Sequence, residues 1–285
     1  GYSQIANIFP TLVAAPRYFS KAIQLGDLMQ ISGAFGQVQG ALSYFIDAYS
    51  SLASWRAIMD RLHGFEKAIS DASNLPVLAR DDKPANYLKV SGLSINLPNQ
   101  ESLLKNISFE LNSGDHLLIK GASGSGKTTL LRALAGLWPF ASGDISQNQT
   151  KTEMFIAQRP YMPQVSLRQA ICYPLTTNLP DDTELSTIMR ECGLAYLRSR
   201  LDEEVDWGKV LSLGEQQRVA FARVLVNHPD IIYLDEASSA LDEAMEAHMY
   251  SVLSERLPNS VIISVGHRST LDIWHNQQLV LKSAI

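Results

Sequence analysis

The sequence predicts an α/β chain: a largely parallel sheet with a helical insertion, preceded by a helical segment poor in charge. Three observations predict it. From about residue 87 onward, buried-strand patterns alternate with helical ones: HLLIK stands before TLLRALAGLW, DIIYLDE before EAMEAHMYSVLSERL, and SVIISVGH supplies a further apolar strand. A glycine-rich turn, GASGSGKTT, joins the first of these strands to its helix. Residues 28–46 carry no charged side chain, whereas residues 64–86 are polar and hold Pro76, Pro84 and a DDK run.

The composition bounds the function. With 285 residues, 46% of them hydrophobic, the chain holds one large domain plus something smaller. A formal charge of -5 gives no basic surplus, so nucleic acid is not expected as a partner. The two cysteines, Cys172 and Cys192, form no CxxC pair and read as reduced, buried, cytosolic thiols. The chain opens GYSQ with neither Met nor a leader pattern, and its start reads as the middle of something longer.

Residues 1–63 are charge-poor as far as Leu62, and the stretch between Asp27 and Asp47 is about as long as a bilayer span. Its small residues suit helix packing in membranes, and its glutamines suit a partner helix or a water-filled path. A buried helical hairpin of a soluble protein is the alternative. Asp47, Trp55, Arg56, Asp60 and Arg61 read as that helix continuing into water, and residues 64–86 as an exposed linker. Residues 87–285 form the globular domain. It begins with YLKVSGLSINL and SLLKNISFEL as strands, and it is mainly helical between Arg159 and Asn227.

Three stretches of that domain carry chemistry. GASGSGKT, Gly121 to Thr128, fits the phosphate-cradling pattern GxxxxGK[ST]. Gly121, Gly124 and Gly126, with Ser123 and Ser125 between them, let backbone N–H groups wrap phosphates. Lys127 supplies a charge for the β and γ phosphates, the Thr128 hydroxyl suits Mg2+, and Thr129 completes the set. In IIYLDE a buried strand delivers Asp235 toward Mg2+ and places Glu236 where it orients or deprotonates a water. VLSLGEQQRVAFAR runs from a small-residue loop, Ser212 to Gly214, into a helix start whose free N–H groups and positive dipole end suit a phosphate. Taken alone, this last stretch also reads as an ordinary capped surface helix.

Together these motifs resemble the ATP-binding-cassette (ABC) family through the whole of residues 87–285. LSLGEQQR resembles the signature motif LSGGQ, Gln158 in FIAQRPYMP the Q-loop glutamine, SSALD at Ser238 to Asp242 the D-loop, and His267 the switch histidine. The resemblance implies a phosphate-loop NTPase fold, with a mostly parallel sheet, an antiparallel β subdomain and a helical insertion. It implies ATP and Mg2+, with Glu236, His267 and Gln158 as catalytic residues and Thr128, Gln158 and Asp235 at the metal. It further implies that two cassettes pack head to tail, so that Ser212 and Gly214 of one close over the ATP held by the other.

The sequence departs from the family pattern in three places. Leu213 stands where the signature has its first Gly, Glu215 where it has Gln, and SINLPN, with Leu97 the nearest apolar candidate, where the family usually offers an aromatic for adenine. LSLGEQQR preceded by VDWGKV resembles the peroxisomal-type, subfamily D branch and its bacterial relatives, which fuse permease and ATPase in one polypeptide. APRYFSKAIQLGDLMQISGAFGQVQGALSYF looks like the end of such a permease. The resemblance therefore implies the C-terminal portion of an exporter-type half-transporter that works as a dimer with a second copy. It implies a multi-pass protein of a bacterial inner membrane with the cassette in the cytoplasm, and a transported substrate that the sequence does not name. Lipid or acyl-CoA, a cobalamin-like cofactor and peptide all stay open. The alternatives are a soluble ABC-type ATPase switch in repair or translation, and a phosphate-loop kinase.

Overall fold

A computed structural model describes residues 2–73, 80–81, 88–147 and 151–281. The chain divides into two compact units, residues 1–75 and 76–285.

The first unit is a helical hairpin. Helix α1 (Tyr2–Phe19) turns through residues 20–24 into α2 (Leu25–Ser73), whose start is capped where the Gln24 N–H donates to Asp27 Oδ2 at 2.9 Å. The helices run antiparallel, with the Phe9 and Phe35 rings 5.8 Å apart and the Thr11 and Ser32 hydroxyls 3.4 Å apart. With 49 residues, α2 is about 74 Å long at 1.5 Å per residue. It runs through residues 64–73, which the sequence marked as linker. GFEKAISDAS holds no proline and several good helix formers, and the first proline beyond it is Pro76. Apart from Arg80 and Asp81, the rest of residues 64–86 lies outside the described residues.

The expected membrane span is not borne out as an apolar helix. Among the described residues no helix is long and apolar enough to cross a membrane. Within residues 28–46, Gln30, Gln37, Gln39, three glycines and two serines dilute the leucines and aromatics. The hairpin nevertheless exposes large apolar side chains along its length, among them Leu12, Phe19, Leu42, Phe45 and Trp55.

The second unit is built on two sheets. The larger contains β6 (Glu153–Ile156), β7 (Ile231–Asp235), β8 (Val261–Val265), β4 (His116–Gly121) and β9 (Gln277–Leu281), side by side in that order and all parallel. Its central strands are buried on both faces, as a parallel sheet covered twice requires. Ile231, Tyr233, Val261 and Ile263 pack into the core shared with helix α3 (Lys127–Leu134), while Ile232, Leu234 and Ile262 face the core of the helical insertion. The smaller sheet, in the order β1 (Arg80–Asp81), β5 (Ala141–Gln147), β2 (Leu88–Asn96), β3 (Ser102–Leu111), is antiparallel except for the short β1–β5 pair.

The insertion comprises α4 (Leu167–Cys172), α5 (Asp182–Glu191), a 3-10 turn at Ala195–Arg200, α6 (Trp207–Val210) and α7 (Leu213–Asn227). Both cysteines are free and buried there, and burial pushes the Cys192 thiol up to about 12. Helix α8 (Glu243–Arg256) leads into β8.

The expected parallel sheet, antiparallel subdomain and insertion are all present. Strands β1, β5, β6 and β9 have no counterpart in the sequence reading: β5 (ASGDISQ) is polar and glycine-bearing, and β9 alternates, with Gln278 and Val280 exposed. Helix α3 stops at Leu134, short of Trp138, because Gly136 takes φ +72° and the Leu137 N–H turns back to the Arg132 carbonyl.

Candidate functional site

Four loops leave the C-terminal edge of the parallel sheet, where ligands of open α/β sheets bind. They follow β4, β6, β7 and β8, and they carry the phosphate loop, Gln158, Asp235–Glu236 and His267 respectively.

In the phosphate loop Gly124 and Gly126 have φ of +78° and +89°, backbone that a side chain opposes. A Cβ on Gly121 would come within 2.7 Å of Ser125 Oγ and 2.8 Å of the Leu281 carbonyl. Helix α3 begins at Gly126 with no side-chain cap, so its first N–H groups face the loop. Lys127 is buried and its Nζ donates to the carbonyls of Gly121 and Ala122, at 3.0 and 2.9 Å. Ser125 Oγ is buried with no hydrogen-bond partner among the described residues, a polar atom inside the cradle that a phosphate oxygen would satisfy. Ser123 is exposed at the loop's rim and Thr129 is half-buried.

Beside the loop the Thr128 hydroxyl donates to Asp235 Oδ1 at 2.8 Å. Burial raises the Asp235 carboxyl above its ordinary value, and the Thr128 hydrogen bond, Arg132 and Lys127 partly offset this. Among the described residues no group of three or more His, Cys, Asp or Glu could hold a metal ion. A divalent cation at Thr128 and Asp235 would draw its remaining oxygens from the nucleotide and water.

Glu236, next along the chain, takes φ +49°, a backbone rare for a non-glycine residue, with its N–H on the Val265 carbonyl at 3.1 Å. This turn presents the carboxylate to both neighbouring loops. Gln158 Nε2 donates to Glu236 Oε2 at 2.9 Å, and His267 Nε2 lies 3.3 Å from Oε1. Three residues from three loops, expected from sequence as a catalytic set, thus meet at one carboxylate.

Ser212 and Gly214 lie elsewhere. They border a depression shared with Arg218 and Ala240 to Asp242, and no phosphate-loop residue lines it. Ser212 caps α7 in a reciprocal box with Glu215, whose Oε2 accepts from the Ser212 N–H at 2.8 Å and the Ser212 hydroxyl at 2.7 Å. Tyr196 donates its hydroxyl to Glu215 Oε1. That bond first, and the bonds from Ser212, hold the Glu215 carboxyl below its usual range. Leu213 is exposed. A Cβ on Gly214 would stand 3.0 Å from the Ala240 carbonyl, so the D-loop packs on the signature glycine. Near Leu97, Trp138 Nε1 donates to the Asn96 carbonyl at 3.0 Å, and its ring lies 5.8 Å from that of Phe140.

Several residues that the sequence did not single out tie these loops together. Gln217, fully buried, donates to the Gln158 carbonyl at 2.9 Å and to Ser239 Oγ at 3.2 Å, and accepts from the Ala240 N–H at 2.9 Å. Arg268, after the switch histidine, donates to the carbonyls of Leu241 and Ser239. The buried Glu246 accepts from Ser238 at 2.6 Å and Thr270 at 2.7 Å.

A phosphate loop, a buried aspartate strand, and a glutamine and a histidine converging on the next glutamate define the class: a nucleotide-hydrolysing cassette. Comparison with known proteins agrees. Residues 104–239 match the ABC transporter model and residues 1–70 the SbmA/BacA-like family. An uncharacterized ABC transporter ATP-binding protein of Haemophilus influenzae is 41% identical over 281 residues, 99% of this chain and 47% of its own length. The inner membrane ABC transporter ATP-binding protein YddA of Escherichia coli is 35% identical over 277 residues, 96% of this chain and 47% of its own. The human lysosomal cobalamin transporter ABCD4 is 38% identical over 207 residues, 67% of this chain and 33% of its own. The chain belongs to the ABC transporter family, its second unit carrying the ATP-binding ATPase domain. It spans about half the length of the first two of these relatives.

Proposed function

We propose that the chain is the ATPase cassette and the closing part of the permease domain, residues 1–63, of an exporter-type half-transporter. Two copies pair, their cassettes close head to tail around two ATP molecules, and hydrolysis reopens them to move a substrate across a membrane. The observation that carries this reading is the meeting of Gln158 and His267 on Glu236 beside the phosphate loop.

In this reading Gly121 to Thr129 hold the phosphates, and Lys127 leaves the two loop carbonyls for the γ-phosphate. Thr128, Asp235 and Gln158 stand at Mg2+, which when bound neutralises phosphate charge. Glu236 accepts the proton of the attacking water, and His267 holds that carboxylate and the γ-phosphate in register. Ser212 and Gly214 complete the partner's site. Beside Gln158, residues Arg159 to Tyr161 with Tyr173 and Pro174 line an open depression of about 650 Å3, a fitting seat for a permease segment.

The membrane assignment rests on the SbmA/BacA-like match, the exposed apolar side chains of the hairpin, and the inner-membrane designation of YddA. It makes this a multi-pass inner-membrane protein of a bacterium with the cassette in the cytoplasm. The polar residues of α2 then face other permease helices or the transport path rather than lipid.

Fractionation tests the reading against a soluble switch. Expressed in a bacterium, the full chain should sediment with membranes and stay there through high-salt and carbonate washes. Recovery of the folded, ATP-hydrolysing chain in the supernatant would contradict it.

A further inference from the structure

The signature departs from the family pattern by a carboxylate, and the structure shows where that carboxylate is held. Glu215 Oε2 takes the hydroxyl of Ser212, the group that the proposed function assigns to the partner's γ-phosphate. A serine hydroxyl has one proton. It donates to Glu215 or to a phosphate, not to both, so ATP competes with Glu215 for the signature serine. Once Ser212 turns to the phosphate, the carboxylate stays beside an anion, held on one oxygen by the Ser212 N–H and on the other by Tyr196.

Tyr196 stands on the 3-10 turn Ala195–Arg200, an element separate from α7, and is 58% exposed, so its ring contributes little to the core. Burial and the neighbouring Glu215 raise its hydroxyl above the ordinary phenol value, which keeps it a donor. Arg218, one turn after Glu215 on α7, is anchored by its NH1 on the Gly193 carbonyl at 2.7 Å and lends positive charge to the same spot.

We propose that Tyr196 is a positioning residue of the signature site: its hydroxyl pins Glu215 Oε1, keeping the carboxylate on the helix cap and off the γ-phosphate when Ser212 is transferred to ATP. This rests on the reading of Ser212 as a ligand of the partner's ATP. Without Tyr196 the carboxylate swings about its remaining bond and repels the incoming phosphate.

The test compares the full chain with Tyr196→Phe, Glu215→Gln, the double variant and Ser212→Ala, by ATPase kinetics and ATP-dependent cross-linking of the two cassettes. Tyr196→Phe should raise the KM for ATP and the ATP concentration for half-maximal closure by roughly fivefold, the worth of one hydrogen bond, with a smaller change in kcat. In the Glu215→Gln background the same change should have no effect, because an amide brings no charge to the phosphate. A general packing role would cost the same in both backgrounds and shift thermal unfolding, and that result overturns the proposal, as does a silent Tyr196→Phe. Ser212→Ala separates the two levels. If it impairs closure while Tyr196→Phe is silent, the pinning role alone fails; if it leaves closure unchanged, the signature-site reading fails and this proposal with it.

Discussion

Glu236→Gln should bind ATP as the parent does and lose turnover by about a hundredfold or more, the usual worth of a positioned general base. The amide preserves shape and still bonds to Gln158 through its oxygen, but it accepts no proton from water. The strained turn at Glu236 and the contacts from Gln158 and His267 aim that one carboxylate. ATP should then hold the two cassettes closed, so cross-linking rises while phosphate release falls. Turnover at the parent rate would remove Glu236 from the role of base.

Gln217→Leu should be the most damaging change outside the nucleotide-contacting loops. The side chain is fully buried and bonds three groups, the Gln158 carbonyl, the Ser239 hydroxyl and the Ala240 N–H. Leucine fills a similar volume and satisfies none of them. The three partner groups belong to residues exposed at the surface, so they partly turn to water, and a net loss of roughly 1 to 2 kcal/mol is expected in unfolding experiments. Turnover should fall about tenfold or more, since an error near 1 Å at a catalytic glutamine costs that much or more. Unchanged stability and turnover would mean that the loops are held from elsewhere.

The contrast between Lys127 and Gln217 shows what the sequence makes legible. The phosphate loop is written in consecutive residues that match one local pattern, and Asp235 follows because a buried apolar strand ending in two carboxylates stands out downstream of such a loop. Gln158 and His267 became legible only through resemblance, for nothing local in FIAQRPYMP or SVGH marks them as partners of Glu236. Gln217, Arg268, Glu246 and Tyr196 stayed hidden because their contacts bridge loops distant in sequence and follow no period. Glu215 read only as a departure from the signature's Gln; the structure shows it closing a capping box. In the first unit, the charge-free residues 28–46 lie in a helix, but three glutamines and three glycines leave it short of the expected membrane span on hydropathy.

The central claim is that each ATP is held by the phosphate loop of one copy and the signature of the other, and a mixed dimer tests it most directly. One copy carries Lys127→Ala and the other Ser212→Ala, and the cassette interface is cross-linked in the presence of ATP. Alone, either variant forms dimers with both sites damaged. In the mixed dimer both lesions fall in one site, and the other combines an intact Lys127 with an intact Ser212 from the opposite chain. Mixed dimers should regain ATP-driven closure that neither parent shows. If they close no better than the parents while both variants fold, Ser212 does not act across the interface and the head-to-tail site is wrong.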